Sequence, residues 1–222
     1  MLQATRTHWG PQTEGTMADV WPMIHAERAS CADLFDSLPT ERWTGTTLCP
    51  EWSVREMAGH IIASAEMTGP KFFGSLAKAG FSFDKMVDAD ARRISAADPS
   101  TFGARLRDHG MGTNHPPGPV PAMLGEVVVH GEDMRRPLGL PRAYPEATLV
   151  AVAEFYQGSS LIVGAKKRIA GLGLVATDAD WSLGHGPEIT GPLLSIILAM
   201  TGRPAGLTDL EGDGLATLAG RM

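Results

Sequence analysis

Trp52-Ser53-Val54-Arg55-Glu56-Met57-Ala58-Gly59-His60-Ile61-Ile62 carries the sharpest helix start in this sequence. Ser53 and Glu56 stand three apart as a capping box, in which each side chain can satisfy the other residue's free amide, and Trp52 and Met57 flank them as a hydrophobic staple. The helix is predicted to continue through His60, Ile61 and Ile62 until Gly69-Pro70, and Lys71 to Ala79 to form a further helical piece before Gly80.

Upstream, Val20, Trp21, Ile24, Cys31, Leu34 and Phe35 recur at helical spacing, so Met17 to Leu38 reads as a helix stopped by Pro39. Residues 1–16 are polar and glycine-punctuated and read as a loose lead-in. Downstream, a helical region is expected from Phe83 to about Leu106, broken or kinked at Asp98-Pro99. HGMGTNHPPGPVP, residues 109–121, is a loop by composition, of a length often tied to function. A fourth long helix is predicted from Pro121 to Arg136 and a fifth from Pro145 to Ala170. From Gly171 the texture changes: Leu172 to Thr177 and Trp181 to Leu183 suggest two short strands around Asp178-Ala179-Asp180. A helix from Pro192 through Thr201, capped by Gly202, and a short final helix follow. The expected fold is therefore mainly α: a four-helix bundle over 17–170 with a small C-terminal α+β cap over 171–222.

The chemistry concentrates in PAMLGEVVVHGEDMRR, residues 121–136. At about 100° per residue, His130 lies about 40° from Glu126 and Asp133 about 20° to its other side, so the three share a stripe. Met123, Val127 and Met134 share or border that arc, which turns the carboxylate and imidazole toward the apolar interior. A buried carboxylate needs compensation. A zinc ion held by a carboxylate and an imidazole one turn apart would provide it, with a third donor from another helix. His60, among Met57, Ile61 and Ser64, is the best third donor. Asp133 suits a supporting role, accepting the spare ring N–H of a ligating histidine, or it pairs with Arg136. Glu-x-x-x-His is also a common helical polar contact, and mixed nitrogen and oxygen donors suit several divalent transition metals. His8, His25, His109, His115 and His185 sit at a terminus, on a helix face, on the long loop and in a glycine turn, and are not read as ligands.

Hydrophobic residues are 43% and charged residues 20% of the 222, the profile of a soluble globular protein. The longest apolar stretch, Pro192 to Met200, contains Ser195 and is far short of the roughly 20 residues a bilayer crossing needs. No membrane association is expected, and without an apolar segment after the first charges the chain reads as cytoplasmic. A net charge of −6, with only short basic runs at Arg135-Arg136 and Lys166-Lys167-Arg168, argues against nucleic-acid binding. Cys31 and Cys49 read as thiols. Nothing in the sequence speaks to oligomeric state.

Glu41-Arg42-Trp43, then Leu48-Cys49-Pro50-Glu51-Trp52 running on to His60, then Gly125 to Gly139, and lastly Trp181 to Gly202 with Arg203 after it, resemble the mycothiol-dependent maleylpyruvate isomerase family of the DinB-like superfamily. The resemblance spans most of the chain. It implies a DinB-like four-helix bundle with a divalent metal, usually zinc, on His60, Glu126 and His130. It further implies mycothiol as a small-molecule thiol cosubstrate that adds to an electrophilic substrate, giving isomerisation or S-transfer. By analogy with a C-terminal arginine of that family, Arg203 is a candidate for a substrate carboxylate, or simply a helix-end arginine. The same donors would equally support metal-activated water and hydrolysis, or a non-catalytic metal-binding module, for which Cys49 is the candidate fourth ligand.

Overall fold

The computed structural model describes residues 19–160 and 163–222. The predicted lead-in and the helix start at Met17 lie outside them. Within them the chain is mainly helical, with one small sheet. The first helix, α1 (Trp21–Ser37), buries Ile24, Cys31, Leu34 and Phe35, the face that the spacing predicts. A short 3-10 turn at Thr40–Thr44 inserts Trp43 between Phe35 and Phe102. The second helix, α2 (Val54–Ala65), starts where its capping box dictates: Ser53 accepts from the Glu56 amide and Glu56 accepts from the Ser53 amide.

Then follow α3 (Gly69–Lys78), α4 (Phe83–Ser95) and α5 (Phe102–Gly110). The break between α4 and α5 falls at Asp98-Pro99, where proline cannot continue the ladder and Asp98 caps the next turn through the Ser100 amide. Against α4, α2 packs very closely at Gly59: a Cβ there would stand 2.5 Å from the Ala91 carbonyl oxygen, a backbone atom with little freedom to move. Gly59→Ala is therefore expected to destabilise the protein by about 1–3 kcal/mol through overpacking, measured by urea denaturation.

The helix that bears Glu126 and His130, α6 (Pro121–Leu138), ends in a left-handed Gly139, with φ of 68°. Its last turn contains Pro137, which has no N–H to offer the Asp133 carbonyl. The Leu48 amide takes that carbonyl instead, at 2.9 Å.

The predicted helix Pro145–Ala170 is two helices, α7 (Glu146–Gly158) and α8 (Ala165–Arg168). Apolar periodicity runs through the region, but Gly158-Ser159-Ser160 favours a stop, and Gly164, at φ of 64°, adopts a conformation that breaks helix. The C-terminal sheet has three strands: β1 (Gly173–Ala176), β2 (Ser182–Leu183) and β3 (Glu188–Gly191). Central β1 pairs antiparallel with β2 and parallel with β3, so Leu174 meets Leu183 on one side and Ile189 on the other. The third strand was absent from the sequence expectation. Helices α9 (Leu193–Met200) and α10 (Leu215–Ala219) close the chain.

A single apolar core runs from Met57, Ile62, Phe102 and Leu124 of the bundle to Leu174, Ile189, Leu193 and Ile196 of the C-terminal part. Continuity of that core fixes Arg203, just beyond α9, against α6. None of the described helices is long and apolar enough to cross a membrane.

Candidate metal centre

Helices α2 and α6 bring His60, Glu126 and His130 together. His60 Nε2 lies 3.6 Å from Glu126 Oε1, and the His60 and His130 rings meet edge to face with centroids 4.8 Å apart. Burial, with His130 beside it, holds the His60 imidazole well below its ordinary pKa against the pull of Asp133, so it stays neutral. Burial also raises the Glu126 carboxyl, opposed in part by His130, Ser64 and Arg28. Among the described residues no lysine or arginine makes an ion pair with Glu126.

His130 Nδ1 is 2.8 Å from Asp133 Oδ2, leaving Nε2 as its free ring nitrogen. Burial alone would raise the Asp133 carboxyl, but hydrogen bonds from His130 and Arg203 outweigh it and hold the group below the usual carboxylate range. Arg203 donates from Nε to Asp133 Oδ1 at 3.0 Å, from Nη2 to Oδ2 at 2.8 Å and from Nη1 to the Thr201 carbonyl. All three guanidinium nitrogens are thus engaged within the protein. Arg136, the other partner considered for Asp133, instead binds Asp209 and Ser195.

Trp52, read from the sequence as half of the staple, supplies a wall that sequence reasoning missed. Its indole lies 4.8 Å from the His60 ring and 6.5 Å from that of His130, and its Nε1 donates to Asp88. The preceding loop is tied down by Thr47, whose hydroxyl donates to the Cys49 and Trp52 carbonyls. Cys49 itself is half-buried with Sγ 3.5 Å from Glu51 Oε2, and burial together with that contact pushes its thiol up to about 11. It is protonated at neutral pH. Burial keeps Cys31 protonated too, pushed up to about 12.

Beside His60 and Glu126 opens a small cavity of about 60 Å³, walled by Ser64, Met67, Phe72, Phe83, Met86 and Pro116. Pro116 comes from the loop after α5, which turns over α1 where the His115 ring packs at a tilt against Trp21 and the Gly112 carbonyl meets His25.

The donor set suits a divalent ion in its chemistry: two imidazoles, one with its second nitrogen fixed by a carboxylate, and a carboxylate without a lysine or arginine partner among the described residues. As placed, the side chains do not close further, and among the described residues no three His, Cys, Asp or Glu donors are gathered tightly enough to clasp an ion.

Residues 24–114 match the family profile of the mycothiol maleylpyruvate isomerase N-terminal domain. That span contains His60, while Glu126, His130 and Arg203 lie beyond it. Among solved structures, a crystal structure of a mycothiol-dependent maleylpyruvate isomerase, a histidine-to-alanine mutant, aligns with 87% of this chain and 90% of its own at 13% identity and a TM-score of 0.53. A second crystal structure of a mycothiol-dependent maleylpyruvate isomerase aligns over the same shares at 11% identity and a TM-score of 0.41. No curated protein matches the sequence. The first of those structures establishes the fold as the DinB-like helical bundle with its small appended sheet. Over residues 24–114, this chain is thus similar to the N-terminal domain of mycothiol maleylpyruvate isomerases.

Proposed function

We propose that this protein is a mycothiol-dependent isomerase or S-transferase of small electrophilic substrates, working with a divalent metal ion, zinc by its resemblance to the family, on His60, Glu126 and His130. The observation that carries the reading is a largely buried Glu126 carboxylate, without a lysine or arginine partner among the described residues, against a neutral His60, with His130 in contact and already oriented by Asp133. The match of residues 24–114 to the mycothiol maleylpyruvate isomerase N-terminal domain supports the thiol half of it.

When bound, the ion would hold a thiol as thiolate, the nucleophile whose reversible addition to an electron-poor double bond permits rotation about it. The protein's own groups have separate tasks. Burial keeps the His60 lone pair free of a proton. Asp133 accepts the Nδ1 proton of His130, so that Nε2 presents its lone pair. Arg203 positions Asp133 and neutralises its charge. The Trp52 indole lies against His60 and shields it from water. Cys49, kept as a thiol, does not compete as a nucleophile.

Metal analysis of the purified protein, followed by titration of its cobalt-substituted form with mycothiol, tests this reading. About one ion per chain and a new sulfur-to-cobalt charge-transfer band are expected. Metal without that band would replace the thiol chemistry with a hydrolytic or structural role, and absence of bound metal would overturn the site.

A further inference from the structure

At about 100° per residue, Arg135 stands on the opposite face of α6 from Glu126. There a hollow of about 410 Å³ lies between the end of α6, residues 139–142 and the start of α9, and it shares no wall residue with the cavity at His60 and Glu126. Three arginines wall it. Two are matched within the protein: Arg136 binds Asp209 and Ser195, and Arg142 binds both oxygens of Glu27. Arg135 is not. It is only 8% exposed, engages the Ser30 carbonyl and hydroxyl through Nη2 alone, and forms no ion pair among the described residues. Its Nε is sealed in without a partner, whereas Nη1, also without a hydrogen bond, is not sealed. Glu132, the carboxylate on the same wall, is taken by the Tyr144 hydroxyl at 2.9 Å and faces Arg136 Nε at 3.5 Å. An arginine keeps its charge wherever it is placed, and a buried charge without a partner is costly.

We propose that this hollow is a second binding site, for a small organic anion whose carboxylate or phosphate group accepts from Nη1 of Arg135 and whose apolar part rests on Leu140, Pro141 and Leu194. A charge-assisted bond of that kind supplies the partner that Arg135 lacks. A cation would meet three arginines there, and a neutral apolar molecule would leave the Arg135 charge uncompensated. The volume lies in the range of small-molecule sites and exceeds what a bare ion would fill. The inference is independent of the thiol chemistry and of the metal centre.

Thermal melting in sodium chloride, phosphate and benzoate, at one pH and one ionic strength, tests the site on the wild type, Arg135→Gln and Pro141→Glu. The wild type is expected to melt roughly 5 °C higher in at least one of the two oxyanions than in chloride, once that anion reaches about a hundredfold its dissociation constant. A rise in phosphate identifies a phosphate site and a rise in benzoate a carboxylate site. Neither variant should show it, since the first lacks the guanidinium and the second sets a competing carboxylate on the wall. General salt effects act on all three proteins alike, so a rise that persists in either variant would overturn the site. Equal melting of the wild type in all three salts would do the same. Pro141 is exposed, so Pro141→Glu decides the question should Arg135→Gln fold poorly.

Discussion

Arg203→Met is expected to lower the folding stability by about 3–5 kcal/mol, because it strips a fully buried carboxylate of its cation. In a chain of this size that corresponds to a fall in melting temperature of roughly 10 °C. Asp133 has no exposed surface and holds Arg203 and His130 on its two oxygens, so the loss cannot be made good by water. Asp133→Asn should be destabilising as well, but the double variant should lose much less than the sum of the singles, since each single leaves an orphaned partner. The same pair sets part of the acid response. The folded Asp133 carboxyl titrates below its ordinary 3.8, so its contribution is present above that pH and drains away as the pH falls through the lower folded value. Asp133→Asn should accordingly flatten the dependence of stability on pH below about 4 in urea titrations, a change that loss of packing alone would not produce.

Glu126→Gln is expected to act in opposite directions on two quantities. If a structural zinc site of about 10–16 kcal/mol draws on four ligands, one ligand is worth about 3 kcal/mol, and metal affinity should fall by roughly two orders of magnitude. The metal-free variant, however, should melt at a higher temperature than metal-free wild type, because burial already disfavours the Glu126 carboxylate. A group that served only as a polar contact to His60 would not divide the two measurements in this way. Competition with a chromophoric chelator and thermal melts of both metal-free proteins supply the readings.

Local signals were legible in the sequence and distant ones were not. The capping box at Ser53–Glu56 placed the start of α2, and Asp98-Pro99 placed the break before α5, because each signal is complete within four residues. Glu126 and His130 share a helical face by spacing alone, which is why their stripe could be read before any fold was known. Strand β3 leaves no local signal because Glu188-Ile189-Thr190-Gly191 becomes a strand only through parallel pairing with β1, some 15 residues back. The predicted helix from Pro145 overruns the end of α7 because apolar periodicity continues past Gly158 and Gly164. The engagement of Arg203 with Asp133 spans 70 residues, and the packing of Trp52 on His60 depends on how the preceding loop turns, so neither leaves a mark in spacing.

The bond from the Leu48 amide to the Asp133 carbonyl is made entirely of main-chain atoms, and it exists because Pro137 withholds the usual donor. It anchors the loop that delivers Trp52 onto the turn of α6 that carries Asp133. Such an anchor is indifferent to which side chain stands at position 48. Position 48 is thus free to drift in sequence while the indole keeps its place beside the imidazoles, and part of the constraint on the loop, besides that of Thr47 within it, is carried by a proline on a different helix.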